Sequence, residues 1–217
     1  MFKKSGAQMR ELFANSITTI AQYFGNYEQV LKKIPVAEIE KVALELSRAY
    51  EENRCVFVFG NGGSAALASH FACDLGKGTI AEGEVKRFRV IAFTDNVPLM
   101  TAWANDSSYK DVFAEQLRNF VQRGDIVFAI SGSGNSGNVL RALETGREAG
   151  AINIGLTGFR GGKMKSMCSS CIVIPSDNMQ LIEDLHLSVT HAIFSVVKNR
   201  MAHGESAAFA AAVSSAD

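Results

Sequence analysis

No apolar stretch in the chain outlasts a β-strand, so nothing in it reads as a helix crossing a bilayer. Residues 1–15 lack the apolar core and cleavage site of a signal peptide. Four cysteines are few, and Cys55, Cys73, Cys168 and Cys171 do not follow the spacing of a disulfide framework. Cys168 and Cys171 form a lone C-x-x-C; without a second pair it is weak evidence for zinc and is read as structural. Excess charge is missing too: 22 Lys and Arg balance 22 Asp and Glu. No helix-turn-helix and no basic extension is present, so neither nucleic acid nor a membrane is expected as a partner. A reducing cytoplasm is the simplest location.

With 217 residues, 47% of them hydrophobic and 20% charged, the chain holds enough apolar surface for one real core. Residues 7–51 carry two helical patterns around Pro35. The first has Met9, Leu12, Phe13, Ile17, Ile20 and Phe24, and the second Ile39, Val42, Ala43, Leu46 and Tyr50. Neither bears a chemical motif, so residues 1–52 are expected to be a helical pair serving packing or a subunit contact. Short, nearly continuous apolar runs follow at 55–59, 88–93, 126–130, 151–156 and 171–174, as parallel strands buried on both faces require. The segments between them, such as 136–149 and 161–167, are long enough for crossover helices. The pattern predicts an α/β fold with a doubly wound, parallel five-stranded sheet over residues 53–201 and a frayed tail over 202–217.

Two bends stand out. The first, Gly60-Asn61-Gly62-Gly63-Ser64, follows the strand 55–59 and opens a helix carrying His70 and Asp74. Four-residue spacing places that imidazole and carboxylate on one helical face. The second, Ser131-Gly132-Ser133-Gly134-Asn135-Ser136, also leaves a buried strand and opens a helix. Its hydroxyls and free N–H groups suit a phosphate monoester without any lysine, although a flexible turn with an N-cap serine reads the same way in isolation. Both bends are expected at one edge of the sheet.

The order strand, GNGGS, HFACD, strand, SGSGNS, helix resembles the sugar isomerase (SIS) domain family, and within it the phosphoheptose isomerases, over roughly residues 10 to 200. The resemblance implies a homotetramer of flavodoxin-like subunits with active sites between subunits. It assigns the phosphate to Ser131, Gly132, Ser133 and Ser136, and the sugar chain to Asn61, Gly62, Gly63, Ser64 and Asp95, with Glu183 also facing substrate. His70 matches the family's metal-ligand histidine, Asp74 its catalytic and ligating glutamate, Glu183 a glutamine, and His191 its catalytic histidine. Zinc is the implied cofactor, held by His70, Asp74, Glu183 and His191. Three departures separate this chain from that pattern: the shorter Asp74, the charged Glu183, and Gln180 where an aspartate is frequent.

The residue types support this chemistry independently. Aldose–ketose interconversion through an enediol needs a base, an acid and a group that polarises the carbonyl. Two histidines and two carboxylates also suit zinc. Glu183 and His191 are eight residues apart, about 12 Å of helix rise. Either the ligands come from two subunits, or only one of that pair binds metal. The expected activity is conversion of sedoheptulose 7-phosphate to D-glycero-D-manno-heptose 7-phosphate, with Asp74 and His191 as catalytic residues. Two rivals remain open. One is a non-catalytic relative resembling the tetrameric partner of the bacterial replication initiator, which lacks a carboxylate at the Asp74 position. The other is an isomerase of a different phosphosugar. Against each assignment stands a plainer reading. His70 suits a hydrogen-bonded core histidine, His186 a structural partner of Glu183, Lys163 and Lys165 a solvated helix face, and Glu183-Asp184 a first-turn charge on the last helix.

Overall fold

A computed structural model of the chain describes residues 17–80 and 86–203. They fall into two units, one ending at Lys33 and the other beginning at Ile34. The first contains helix α1 (Ile20–Leu31), started by a capping box in which Gln22 N–H donates to Thr19 Oγ1 at 3.1 Å. Met9, Leu12 and Phe13 of the expected first helical pattern lie outside the described residues, as does 204–217 of the expected tail.

The second unit is built on five parallel strands: β1 (Val56–Gly60), β2 (Val90–Ala92), β3 (Ile126–Ser131), β4 (Ile152–Thr157) and β5 (Ser170–Val173), in the order β2-β1-β3-β4-β5. Every residue of β1 and β3 is buried, which is why their sequences are continuously apolar rather than alternating. Edge strand β2 pairs over only three residues, fewer than the apolar run 88–93 suggests.

Helices cover both faces. Phe57 and Phe59 point to one side, where Phe59 stacks on Phe113 at 5.0 Å between ring centroids and Val139, Ala142 and Leu143 close the core. Those last three belong to α6 (Gly137–Glu148); ahead of it in the chain come α4 (Val97–Asp106) and α5 (Ala114–Arg118). The other face receives α2 (Val36–Glu51), α3 (Gly63–Cys73) and α7 (Met179–His203). The apolar stripe Ile39, Val42, Ala43, Leu46 and Ala49 of α2 is buried, and α2 packs on α7 and β5. No helix among the described residues is long and apolar enough to cross a membrane.

Two expectations need correction. Residues 161–167 form no crossover helix but a single 3₁₀ turn, Met164–Met167. Gly161 and Gly162 have φ of +89° and +55°, a left-handed backbone that ends a helix before it starts. Glu183 and Asp184 are not first-turn charges either: α7 begins at Met179, and its first turn holds no acidic residue.

The order β2-β1-β3 reverses direction between β1 and β3, the switch point at which doubly wound sheets bind ligands. Gly60 and Ile130 are paired across that boundary. Both bends therefore leave the carboxyl ends of adjacent strands, as the sequence leads one to expect.

Candidate active site

The first bend turns at Gly62, whose φ of +57° and ψ of −122° suit only glycine. It delivers the chain into α3, and His70 follows two turns later. At Asp74 the helix widens into a π-helical segment, Asp74–Gly78, of a kind frequent at functional sites. His70 and Asp74 share a face as their spacing requires, with His70 Nε2 and Asp74 Oδ2 3.4 Å apart.

From the far end of the chain α7 brings His191 to the same place. His191 Nε2 stands 3.0 Å from His70 Nε2 and 3.7 Å from Asp74 Oδ2. The two distances to Asp74 Oδ2, 3.4 and 3.7 Å, are too long for good hydrogen bonds. Asp74 Oδ2 is thus a buried carboxylate oxygen with no hydrogen-bond partner, facing two imidazole nitrogens. That is the environment a cation would satisfy. Two ligands on a tetrahedral zinc, each bonded at about 2.0–2.1 Å, lie roughly 3.3 Å apart. The edges observed here, 3.0, 3.4 and 3.7 Å, straddle that value, and the donor set of two nitrogens and one oxygen suits the metal.

Glu183 is outside this group. It lies two turns nearer the start of α7, where its carboxylate closes over the first bend: a Cβ at Gly63 would stand 3.0 Å from Glu183 Oε2. Within one chain, therefore, His191 joins the cluster and Glu183 does not. Glu183 instead lines a cavity of about 240 Å³ together with Gly63, Ser64, His70 and His186. His186 is buried in its wall, and neither ring nitrogen makes a hydrogen bond. Burial pushes its imidazole down to about 4.

Asn61 is not open to solvent on all sides. Its side-chain amide exchanges two hydrogen bonds with Asn138 on α6: Asn61 Nδ2 donates to Asn138 Oδ1 at 2.9 Å, and Asn138 Nδ2 donates to Asn61 Oδ1 at 2.8 Å. Tyr109 O–H donates to the same Asn61 oxygen at 2.9 Å. Neither Asn138 nor Tyr109 is evident from the sequence, though Asn138 lies just two residues past the serine motif.

In the second bend Ser136 takes the N-cap position of α6, yet its hydroxyl makes no capping hydrogen bond. It turns instead toward Ser131, with the two Oγ atoms 3.3 Å apart. A plain N-cap would have bonded the helix. Ser133 Oγ accepts from Asn135 N–H at 3.2 Å. The bend is buttressed from below by the segment after β4: Lys163 N–H donates to Asn135 Oδ1 at 3.1 Å and Met164 N–H to the Gly134 carbonyl at 3.0 Å. A Cβ at Gly162 would stand 2.5 Å from the Gly134 oxygen, so the two backbones meet only because side chains are missing. Gly132 lies under Met179 at the start of α7. Asp95 follows β2 and is held by Ser69 Oγ, facing a separate groove shared with Cys73 and Asn96.

The SIS domain family model matches residues 22–158. The chain belongs to the SIS domain family. A phosphoheptose isomerase of Aliarcobacter butzleri is 35% identical over 193 residues, 85% of this chain and 97% of that one. Among solved structures, a phosphoheptose isomerase from Neisseria gonorrhoeae superposes with a TM-score of 0.77 at 28% identity, covering 83% of this chain and 97% of the other. One from Francisella tularensis gives 0.76 at 28% identity, over 83% and 96%. The fold described above is therefore shared with those two solved structures.

Proposed function

We propose that this SIS domain protein is a phosphoheptose isomerase, converting sedoheptulose 7-phosphate to D-glycero-D-manno-heptose 7-phosphate in cytoplasmic heptose biosynthesis. The observation that carries the reading is the meeting of His70, Asp74 and His191, with an unsatisfied carboxylate oxygen at its centre. A structural role leaves that oxygen unexplained, because burying an unpaired carboxylate oxygen is costly. A cation shared with the two imidazoles would satisfy it, leaving the other carboxylate oxygen for proton transfer between neighbouring carbons.

In the mechanism the hydroxyls of Ser131, Ser133 and Ser136 and the start of α6 receive the phosphate. Asn61, fixed by Asn138, and the open backbone of Gly62 and Gly63 border the sugar chain, with Ser64 behind them. Glu183 completes the substrate contacts beside the first bend, whereas Asp95, expected to join them, faces its own groove. Asp74 and His191 divide the acid and base roles, one removing a proton from the carbon skeleton and the other returning one to its neighbour. Asp74 has two oxygens, so Oδ1 remains for the proton while Oδ2 faces the imidazoles. The atoms that would hold zinc are His70 Nε2, Asp74 Oδ2 and His191 Nε2, which would leave His191 Nδ1 for proton transfer, with Glu183 as a fourth ligand from a rearranged or neighbouring chain. An ion held there would supply Lewis acidity toward an oxygen of the substrate.

The assembly we infer is a homotetramer with shared sites. Supporting it, α7 leaves Leu187 and Val196 exposed on the helix that carries Glu183 and His191, apolar surface that a second copy would cover.

Incubating purified protein with sedoheptulose 7-phosphate, with and without zinc, and following the aldose tests the reading. Turnover supports it. Absence of turnover under every metal condition overturns it in favour of a non-catalytic binding role.

A further inference from the structure

The serine bend contains no cation, yet a phosphate monoester brings close to two negative charges. We propose that Lys110 supplies the missing cation, its ammonium engaging the phosphate held at Ser131–Ser136. This inference rests on the phosphosugar reading above.

Lys110 lies far from the bend in sequence but beside it in the fold. Its stem runs along Gly137, the first residue of α6: its Cγ, Cε and Cδ stand 3.6, 3.8 and 3.9 Å from the point a Gly137 Cβ would occupy. The ammonium is one C–N bond further, about 1.5 Å, and Gly137 directly follows Ser136 in the chain. Lys110 also borders a cavity of about 370 Å³ with Gly137 and Arg141, so its side chain is free to change rotamer.

The segment bearing Lys110 is pinned on both sides. Tyr109 O–H donates to Asn61 Oδ1 at 2.9 Å, tying it to the first bend. Asp111 Oδ1 pairs with Arg141 Nε at 3.6 Å, tying it to α6. Those ties hold the lysine against the helix start without using its charge. Nor do acids compete for it. Among the described residues no carboxylate lies within 4.0 Å of Lys110 Nζ, while Asp111 and Glu144, the acids bordering the same cavity, pair with Arg141. A lysine whose stem is packed, whose backbone is tethered and whose ammonium has no protein counter-ion is placed for an anionic ligand.

Steady-state kinetics on sedoheptulose 7-phosphate with Lys110→Gln and Lys110→Arg, alongside inhibition by inorganic phosphate, test the proposal. Lys110→Gln should raise KM and the phosphate inhibition constant about fivefold, between an exposed ion pair and a charge-assisted hydrogen bond, with kcat within about twofold. Lys110→Arg should recover most of the loss, and the gap between wild type and Lys110→Gln should narrow as salt rises. Lys110→Gln kinetics equal to wild type, with Ser133→Ala still raising KM, overturn the role of Lys110 and leave the phosphosugar reading standing. A wild-type protein with neither turnover nor phosphate inhibition overturns both.

Discussion

Asn61 and Asn138, 77 residues apart, grip each other through two reciprocal amide hydrogen bonds of 2.9 and 2.8 Å. They join the end of β1 to the start of α6, and so lock the two bends into one rim at the switch point of the sheet. Replacing Asn138 by Ala removes both bonds and leaves Asn61 Nδ2 without its partner, while Tyr109 still donates to Asn61 Oδ1. The expected cost is about 1–3 kcal/mol, read as a lower urea midpoint with an unchanged slope. A midpoint equal to wild type would show that the clasp contributes nothing to holding the rim.

The second bend is predicted to act on binding alone. A Ser133→Ala/Ser136→Ala double variant loses two hydroxyls that no helix cap requires. Its KM for phosphorylated substrate should rise about tenfold, since hydrogen bonds to a charged partner are worth roughly 1.5–3 kcal/mol each before compensation. Fluorescence-monitored unfolding checks that the fold is retained. Unchanged kinetics would remove the phosphate from this place.

Metal content gives a test that does not depend on activity. Protein purified without chelator should carry about one zinc per chain by elemental analysis, because the three donors fit a tetrahedral ion. His70→Ala should carry almost none, and added zinc should raise the melting temperature of wild type only, by binding the native state. Equal zinc in both proteins would dismiss the cluster as the metal site.

His186 predicts a pH signature of stability. Its folded value, about 4, lies below the ordinary 6.5, so between these values the unfolded chain binds the extra proton. Stability from keeping this ring neutral is fully present above about pH 6.5 and is lost as pH falls toward 4. The total is on the order of 3 kcal/mol. Denaturation midpoints at pH 7 and 4.5 should differ less in a His186→Leu variant than in wild type; parallel slopes contradict the burial argument.

Much of this was legible in the chain because its signals are local. Continuous apolar runs name buried parallel strands, a Gly/Ser bend after each of two strands names the ligand edge, and a four-residue step sets His70 facing Asp74. What escaped reading is either long-range or a matter of backbone conformation. Nothing near Asn61 announces Asn138 or Tyr109 as its partners. The π-helical widening at Asp74 has no residue signature in DLGKG. The stretch 161–167 has helical length and composition, but the left-handed Gly161 and Gly162 turn it into a buttress for the serine bend instead. Glu183 and His191 lie on one helix, and only coordinates reveal which of them reaches His70.

The central claim is that the cluster of His70, Asp74 and His191 performs the chemistry. Its most direct test is kcat on sedoheptulose 7-phosphate for Asp74→Asn and His191→Ala beside wild type, with folding verified by circular dichroism. The prediction is a fall of about 10²–10⁴-fold in each variant, the span of general acid–base catalysis. Either variant turning over within a few-fold of wild type would contradict it.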